Sequence, residues 1–594
     1  MRSTRQSGAW PVASAYIKDY QSELGFDVFS KLQGAIRARD VGSVIRTVEE
    51  FSLKQPGEVH LRLLSQVKGF FSKNTSLVSA DGEETAASTF FRMEERCALT
   101  NARLMRFAAH AERYPLWLQN AIGDMQSDIA ALLGPIDVYL NELPQLVRLT
   151  SGATVTTSRQ QSRRDLKLRR KVTVTPGCAP LLKTLLAHLG LEEGVRLQYV
   201  DHNRLEFVPK NWKTKRTIAC EATGNLVCQL TYDSFAKSCL KAWRVDLSHG
   251  QSTNSAKAKL GSIDGGEATV DFESASDCTA ARAVELLWPS DWYQLLMRMR
   301  SPWYKLTYRT KDRGVEQVHA PYHKFSSMGN GTTFTIETTI FAAAARAVGS
   351  KTFAVYGDDV VIERKLAPRF MRLCKFLGFH INREKTHWLA SDGFRESCGE
   401  DYYKGVLITP FYLRNDAELR REVCHNINGL VSIARPGGRL ARLLVSAAQY
   451  RKLPFVPFNS DTGSGIFLSA YEFYARWEER QHAGRIGLRF GDYHQPEFKG
   501  LVEVARKGGS GRSYKRLLLW YLEKARGRSC GLLPGSSELR AIDGYTTDGP
   551  ITYVSTSKWD SDNVLVRVTW KVWDIPGPTP THLFWWDEFC QLSS

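Results

Sequence analysis

The sequence predicts an α+β protein, on three observations. Residues 17–150 carry apolar side chains at helical spacing, as in ALTNARLMRFAAHAERYPLWLQNAIGDM. From about residue 265 the pattern changes to strand, helix, strand, strand. Within that stretch, TFAVY and VVIER are β-type apolar runs on either side of Gly357-Asp358-Asp359, which reads as a hairpin with a three-residue turn.

Taken in order, the N-terminal helices give way to a basic stretch with Arg159, Arg163, Arg164, Lys167, Arg169, Arg170 and Lys171. It is either a solvated charged face or a contact for a phosphate backbone. APLLKTLLAHLG is a short helix, and RLQYVDHNRLEFVPKNWKTKRTIACEA is two strands joined by a turn. EATVDF is a short β-branched strand. SASDCTAARAVELLW follows as one helix, with Ser274, Ser276 or Asp277 available to cap it. The turn-rich SSMGNG precedes a helix over TTFTIETTIFAAAARAV, and LAPRFMRLCKFLGFHI is a helix that stops at Gly378. Beyond residue 410 the signal is mixed: 476–530 is basic and partly helical, and the last fifty residues are strand-like and rich in Trp.

Composition narrows the function. The chain has 594 residues, 43% hydrophobic and 24% charged, which excludes bulk disorder and fibrous structure. Its formal charge of +18 points to a polyanionic partner, nucleic acid before membrane surface. The eleven cysteines form no Cys-x-x-Cys pair, so neither a zinc ribbon nor a disulfide framework is expected. The spacing of Cys374, His380, His387 and Cys398 fits no common zinc site. The basic start MRSTRQSGAW lacks an apolar stretch behind it, and no run of apolar residues is long enough to span a membrane. A reducing cytosolic compartment is expected.

The strongest local signal is Tyr356-Gly357-Asp358-Asp359. Adjacent carboxylates at a turn repel unless a cation neutralises them, although a solvated surface turn would also tolerate them. Asp271, at the end of a short strand, can converge with a hairpin tip. Hard oxygen donors with open positions suit Mg²⁺ or Mn²⁺ bound together with phosphates. Two such ions are the common device of phosphoryl transfer.

Here the ordered motifs resemble those of viral RNA-dependent RNA polymerases, and more narrowly the replicase β subunits of single-stranded RNA bacteriophages, the levivirus family. FVPKNWKTKRTIACE (207–221) is similar to the basic fingers motif, TVDFESASD (269–277) to palm motif A, SSMGNGTTFTIET (326–338) to motif B and VYGDD (355–359) to motif C. FRESCGEDYYKGVLITPFYLR (394–414) resembles the segment near the thumb. The resemblance covers about residues 205–415. It implies a right-hand polymerase whose antiparallel, four-stranded, RRM-like palm sheet is backed by helices. Residues 1–250 would be N-terminal extension and fingers, 251–410 palm with an inserted fingers segment, and 411–594 thumb and C-terminal extension.

The resemblance also assigns roles. Asp271 and Asp358 would be the principal ligands of two Mg²⁺ (or Mn²⁺) ions, with Asp359, its side chain turned elsewhere by strand alternation, in support as an outer ligand or a brake on the charge of its neighbour. Asp277 and Asn330 would lie near the ribose of the incoming nucleotide, although Asp277 could simply cap a helix and Asn330 occupy a turn. Gly329 would allow close backbone approach, and Ser326 and Ser327 could hydrogen-bond there. Lys210, Lys213, Lys215 and Arg216 would hold triphosphate or form a general RNA-backbone patch, Lys213 and Arg216 being the first choices. Strand alternation would put Lys213 and Lys215 on one face and Arg216 on the other. Lys385 in HINREKTHW would protonate pyrophosphate. KGGSGRSYK (507–515) lacks the order of a phosphate-binding loop, and Trp585 and Trp586 suit core packing better than base stacking.

The implied activity is template-directed RNA synthesis from NTPs in the bacterial host cytoplasm, with RNA template and product, host elongation factors Tu and Ts and, in part of the family, ribosomal protein S1 as partners, and no membrane. Two other readings share some of these features. A reverse transcriptase would carry the paired Asp residues without the polar ribose pair, and a non-catalytic RNA-binding or virion protein would also explain the charge.

Overall fold

A computed structural model describes residues 8–468 apart from 55–56, 79–81, 151, 158–166, 168–170, 418–419, 452, 454, 458–461 and 464, and beyond 468 the strands at 497–503, 551–552 and 563–569. Of the basic stretch 159–171 only Lys167 and Lys171 are described. The segment KGGSGRSYK, Trp585 and Trp586 lie outside the described residues, as does most of 476–530, whose described part is the strand Glu497–Glu503. No helix among the described residues is long and apolar enough to cross a membrane.

The chain divides into two units. One is built from Val78–Thr409. The other joins residues 8–77 to the described residues from Pro410 onward. In that second unit the helix Ala9–Asp19 packs with Arg439–Arg451, and the Asp19 carboxylate accepts from the N–H groups of Arg439 and Leu440, at 2.8 and 2.9 Å, at the start of that helix. The boundary at 410 coincides with the end of the expected palm. The boundary at 77 has no counterpart among the divisions expected from sequence.

The Val78–Thr409 unit holds the motifs. Its long helix Gly82–Ala109 buries Ala86, Ala87, Phe90, Met93, Cys97, Leu104 and Phe107, the stripe expected of helical spacing. A four-stranded sheet runs in the order Lys215–Cys220, His202–Pro209, Trp303–Thr310, Gly314–Pro321. The first pair is the hairpin expected from sequence. The 303–321 hairpin was not foreseen, and it joins by parallel pairing of His202–Leu205 with Trp303–Leu306.

A second, antiparallel sheet places Asp359–Glu363 between Glu267–Val270 and Ala354–Tyr356. It has three strands rather than the expected four. The free edge of Glu267–Val270 and the residues just after it pair with the 381–387 segment as isolated bridges, Thr269 with His387 and Phe272 with Ile381, and not as a fourth strand. Two helices, Thr333–Ala347 and Ala367–Leu377, have their apolar residues in the same core as these strands. The Ala342–Ala345 run is fully buried, and Phe341 stacks on Phe272 at 4.3 Å between ring centres. The single helix expected over 274–288 is two, Ala275–Cys278 and Ala281–Leu287. Between them Thr279 accepts from the Phe325 N–H at 2.7 Å and Ala280 bridges Lys324, so a distant segment takes backbone groups that a continuous helix would have used.

Candidate active site

The hairpin tip is tighter than its sequence suggests. Tyr356 pairs with Asp359, so the turn proper is Gly357-Asp358 and Asp359 already belongs to the strand. Gly357 has φ +63°, and a Cβ there would lie 2.4 Å from the Phe334 ring. Its N–H donates to Thr338 Oγ1 at 3.1 Å, which ties the turn to the helix Thr333–Ala347.

On the neighbouring strand Val270 pairs with Val360, so continuing the register by one residue sets Asp271 opposite Asp359. Asp271 is further held by the 382–386 segment: Asn382 Nδ2 donates to its carboxylate at 2.8 Å and Asn382 N to its carbonyl at 2.9 Å. Asp359 Oδ1 accepts from the Cys398 N–H at 3.0 Å, a bond that fixes its direction independently of the turn. Burial pushes the Asp271 carboxyl up to about 6, with Lys385 opposing and Asp358 adding to the rise. Burial likewise pushes Asp359 up to about 7, opposed by the Cys398 N–H and reinforced by Asp358 and Asp271.

Two further acids join this field, and sequence reasoning missed both. Glu337, on the buried helix Thr333–Ala347, takes the Ser276 hydroxyl at 2.8 Å. Burial first and Asp358 second hold its carboxyl well above the usual range. Its visible signal was a lone acid in a Thr- and Ala-rich helical run. Glu396, on the strand Phe394–Ser397, pairs with Lys385 at 3.3 Å and raises both Asp271 and Asp359. No local pattern marks it out.

Carboxyls that raise one another's pKa are what a bound cation would relieve, and an all-oxygen set suits Mg²⁺ or Mn²⁺. The residues therefore fit the ions expected from sequence. In the metal-free chain these raised carboxyls bind protons that the unfolded chain has released, so between about pH 4 and 7 they make stability fall as pH rises. Metal competes with those protons. We expect Mg²⁺ to raise the melting temperature more at pH 7.5 than at pH 5. Equal shifts at the two pH values would sink the assignment.

The cations divide. Lys210 lies within the field of Asp271 and Asp358. Burial, Arg216 and Lys385 lower its pKa, and the two acids oppose them. Against the lowering effect of burial, Glu396 and Asp271 hold the Lys385 ammonium above the usual lysine value. Arg216 is exposed on its strand. Lys213 is exposed in the turn, where its N–H donates to Asn211 Oδ1, so it does not share a strand face with Lys215. Lys215 is turned to Glu83 of the long helix at 2.7 Å, an ion pair that already occupies its ammonium.

The expected ribose pair is also engaged by protein. Asp277 accepts from Lys324 Nζ at 2.8 Å rather than capping the helix. Ser274 occupies the cap position, but with left-handed φ 52° and no side-chain bond. Lys324, missed in the sequence, is fully buried between Asp277 and Glu94 and lies 3.8 Å from the centre of the Phe90 ring. Asn330 is buried, with its amide directed at Glu221. Gly329 does make a close approach, but to protein: at φ +105° a Cβ would meet the Ala219 carbonyl oxygen at 2.3 Å. Ser326 and Ser327 are buried beneath the same loop, with Thr333 Oγ1 bonded to Ser326 Oγ and the Ser327 carbonyl.

Among the described residues one cluster brings three metal-type ligand atoms within 4.8 Å of one another, and it is not the acid set: Asp201, His202 and His319, at the sheet that bears Lys215. Its His202–Asp201 contact of 2.6 Å is a hydrogen bond, shorter than the roughly 3.3 Å expected between two ligands of one tetrahedral zinc. It reads as a hydrogen-bonded surface group.

Comparison with known proteins adds an independent finding. Residues 15–438 match the sequence model of the family described as RNA replicase, beta-chain. The chain is 36% identical over 344 residues to the RNA-directed RNA polymerase subunit beta of Escherichia virus Qbeta, covering 56% of each chain. It is 36% identical over 344 residues to the corresponding subunit of Enterobacteria phage SP, covering 56% of this chain and 57% of that one. It is 32% identical over 311 residues to the RNA-directed RNA polymerase beta chain of Escherichia phage MS2, covering 50% and 54%. The chain thus spans about half the length of the curated relatives it matches.

Proposed function

The chain belongs to the RNA replicase β-chain family, and from that premise we propose that it catalyses template-directed RNA synthesis for the replication of a single-stranded RNA phage genome. The 3′-oxygen of the growing RNA attacks the α-phosphorus of an NTP, a phosphodiester bond forms, and the bond to pyrophosphate breaks. The observation that carries this reading is the meeting of Asp271 with Gly357-Asp358-Asp359 at one end of an antiparallel sheet, within the field of Lys210 and Lys385.

In this reading the sheet at 267–270 and 354–363 with its two helices is an RRM-like palm, the strands around Lys215–Cys220 belong to the fingers, and the chain beyond residue 411 forms thumb and extension. Asp271 and Asp358 would hold the metal as principal ligands, with Asp359 in support as an outer ligand or a brake on the charge of its neighbour. Two Mg²⁺ ions bound there would polarise the attacking hydroxyl and offset charge on the leaving pyrophosphate. Lys210 and Arg216 offset charge on the triphosphate, with Lys213 free to contact the RNA backbone. Asp277 and Asn330 border the ribose.

Lys385 carries the proton for pyrophosphate. Its replacement, Lys385→Leu, should slow single-turnover incorporation by about a hundredfold while leaving NTP affinity nearly intact. An unchanged single-turnover rate would remove Lys385 from the mechanism.

In this reading the chain works in the host cytoplasm with elongation factors Tu and Ts and, as in part of the family, ribosomal protein S1. The deciding experiment is RNA synthesis by the chain as purified from its host, with Mg²⁺, an RNA template and either ribo- or deoxynucleotides, alongside identification of what co-elutes. Preference for deoxynucleotides would overturn the replicase reading. Full activity of the lone chain would overturn the requirement for host factors.

A further inference from the structure

We propose that Glu221 is a positioning residue that sets ribose selection by fixing the amide of Asn330; this rests on the reading of Asn330 as a ribose contact. Glu221 follows the strand Lys215–Cys220 and is only 2% exposed. Its carboxylate collects donors from three other segments. Oε1 accepts from Asn203 Nδ2 at 2.8 Å and Asn330 Nδ2 at 3.3 Å, and Oε2 accepts from Ser301 Oγ at 2.7 Å. Asn203 is itself oriented, because its Oδ1 takes the Tyr322 hydroxyl at 2.7 Å.

The Asn330 side chain is therefore held at both ends. Its Oδ1 accepts from Thr332 N at 2.9 Å and Thr332 Oγ1 at 2.8 Å, which decides which way the amide faces. Glu221 decides where it sits. With both acceptor positions used and one N–H given to Glu221, a single N–H remains for a ligand hydroxyl. The loop backbone is docked on the same strand: Ala219 N donates to the Met328 carbonyl at 2.7 Å, and Gly329 rests against the Ala219 carbonyl. Gly331 N donates to Gln229 Oε1 at 2.9 Å. One short stretch, 219–221, thus fixes the loop by backbone and Asn330 by side chain. A group that must recognise one hydroxyl needs this kind of support, since a small misplacement forfeits the bond.

The arrangement makes an unusual prediction: side-chain length matters more than charge. Glu221→Gln keeps Oε1 in place for both amides, and its new N–H can donate to the Ser301 hydroxyl, which turns to accept. Glu221→Asp keeps the charge but withdraws it by roughly 1.5 Å, which lengthens a 3.3 Å contact beyond hydrogen-bond reach.

The test measures kcat/KM for ribonucleotides over deoxynucleotides with the full-length chain as purified from its host, with melting curves to check folding. Asn330→Ala and Glu221→Asp should each lower the ratio about tenfold. Their combination should do no worse than Asn330→Ala alone, and Glu221→Gln should stay near the parent ratio. If Asn330→Ala leaves the ratio unchanged, the ribose reading itself fails. If Asn330→Ala lowers it while Glu221→Asp does not, or if the two effects multiply, only the role of Glu221 fails. Should Glu221→Asp not fold, Glu221→Gln decides alone, and a tenfold loss there overturns the proposal.

Discussion

Asp358→Asn should reduce RNA synthesis by at least about a thousandfold while the fold persists, because loss of a ligand charge removes several kcal/mol of transition-state stabilisation. Asn has the shape of Asp and is at home in a two-residue turn, so Gly357 and the strand pairing Tyr356 with Asp359 should be undisturbed. The change also removes one of the like charges that push Asp271 and Asp359 upward. Without metal, the variant should therefore melt no lower than the parent, and both remaining carboxyls should titrate at lower pH. The loss would then be chemical, not structural. NTP incorporation and a melt in chelator check the two halves of this expectation. Activity within tenfold of the parent would mean that Asp358 is not a principal ligand, and would favour the non-catalytic RNA-binding alternative.

Lys324→Met should produce the largest loss of stability, about 3–5 kcal/mol, because removing one partner of a buried ionic group leaves the others uncompensated. Lys324 is fully buried, with Asp277 at 2.8 Å and Glu94 at 3.4 Å. Against the lowering effect of its own burial, those two acids raise its pKa, so the ammonium stays charged. Glu94 is itself nearly excluded from solvent and also takes the His323 N–H at 2.7 Å. Met fills a similar volume, so the cost is electrostatic and not a cavity. Urea unfolding followed by tryptophan fluorescence measures it. Adding Glu94→Gln to Lys324→Met should recover part of the loss, and a double variant less stable than Lys324→Met would refute the pairing.

Much of the chemistry was legible because its signals are local. An alternating apolar run, a glycine able to take positive φ and two acids in succession are readable within a dozen residues, and the hairpin formed where they indicated. The helices at 333–347 and 367–377 were legible for the same reason, their period and their ends lying within their own sequence. The helix expected over 274–288 broke because Thr279 and Ala280 pair with the 324–325 segment, a competition no local window contains. The parallel joining of 202–205 to 303–306 was equally out of reach.

Individual side chains divide along the same line. Glu94 lies on the buried stripe of its helix beside Phe90 and Cys97, and an acid there needs a buried partner, but only the folded chain shows that the partner is Lys324. Lys215 reads the same as Lys210 in a basic run, yet one is paired with Glu83 and the other lies in the field of Asp271 and Asp358. The sequence by itself determined the family and the order of the motifs, and it singled out Asp271, Asp358 and Asp359 as the candidate acid set, because residue identity dictates which groups can hold a hard cation. Tertiary structure decided which cations lie in the field of that set, that Asp277 and Asn330 are gripped by Lys324 and Glu221, and that Glu337 and Glu396 join the acids. Burial and the approach of distant segments set those partnerships, and an uncompensated charge or amide in a low-dielectric interior is too costly to leave unpaired.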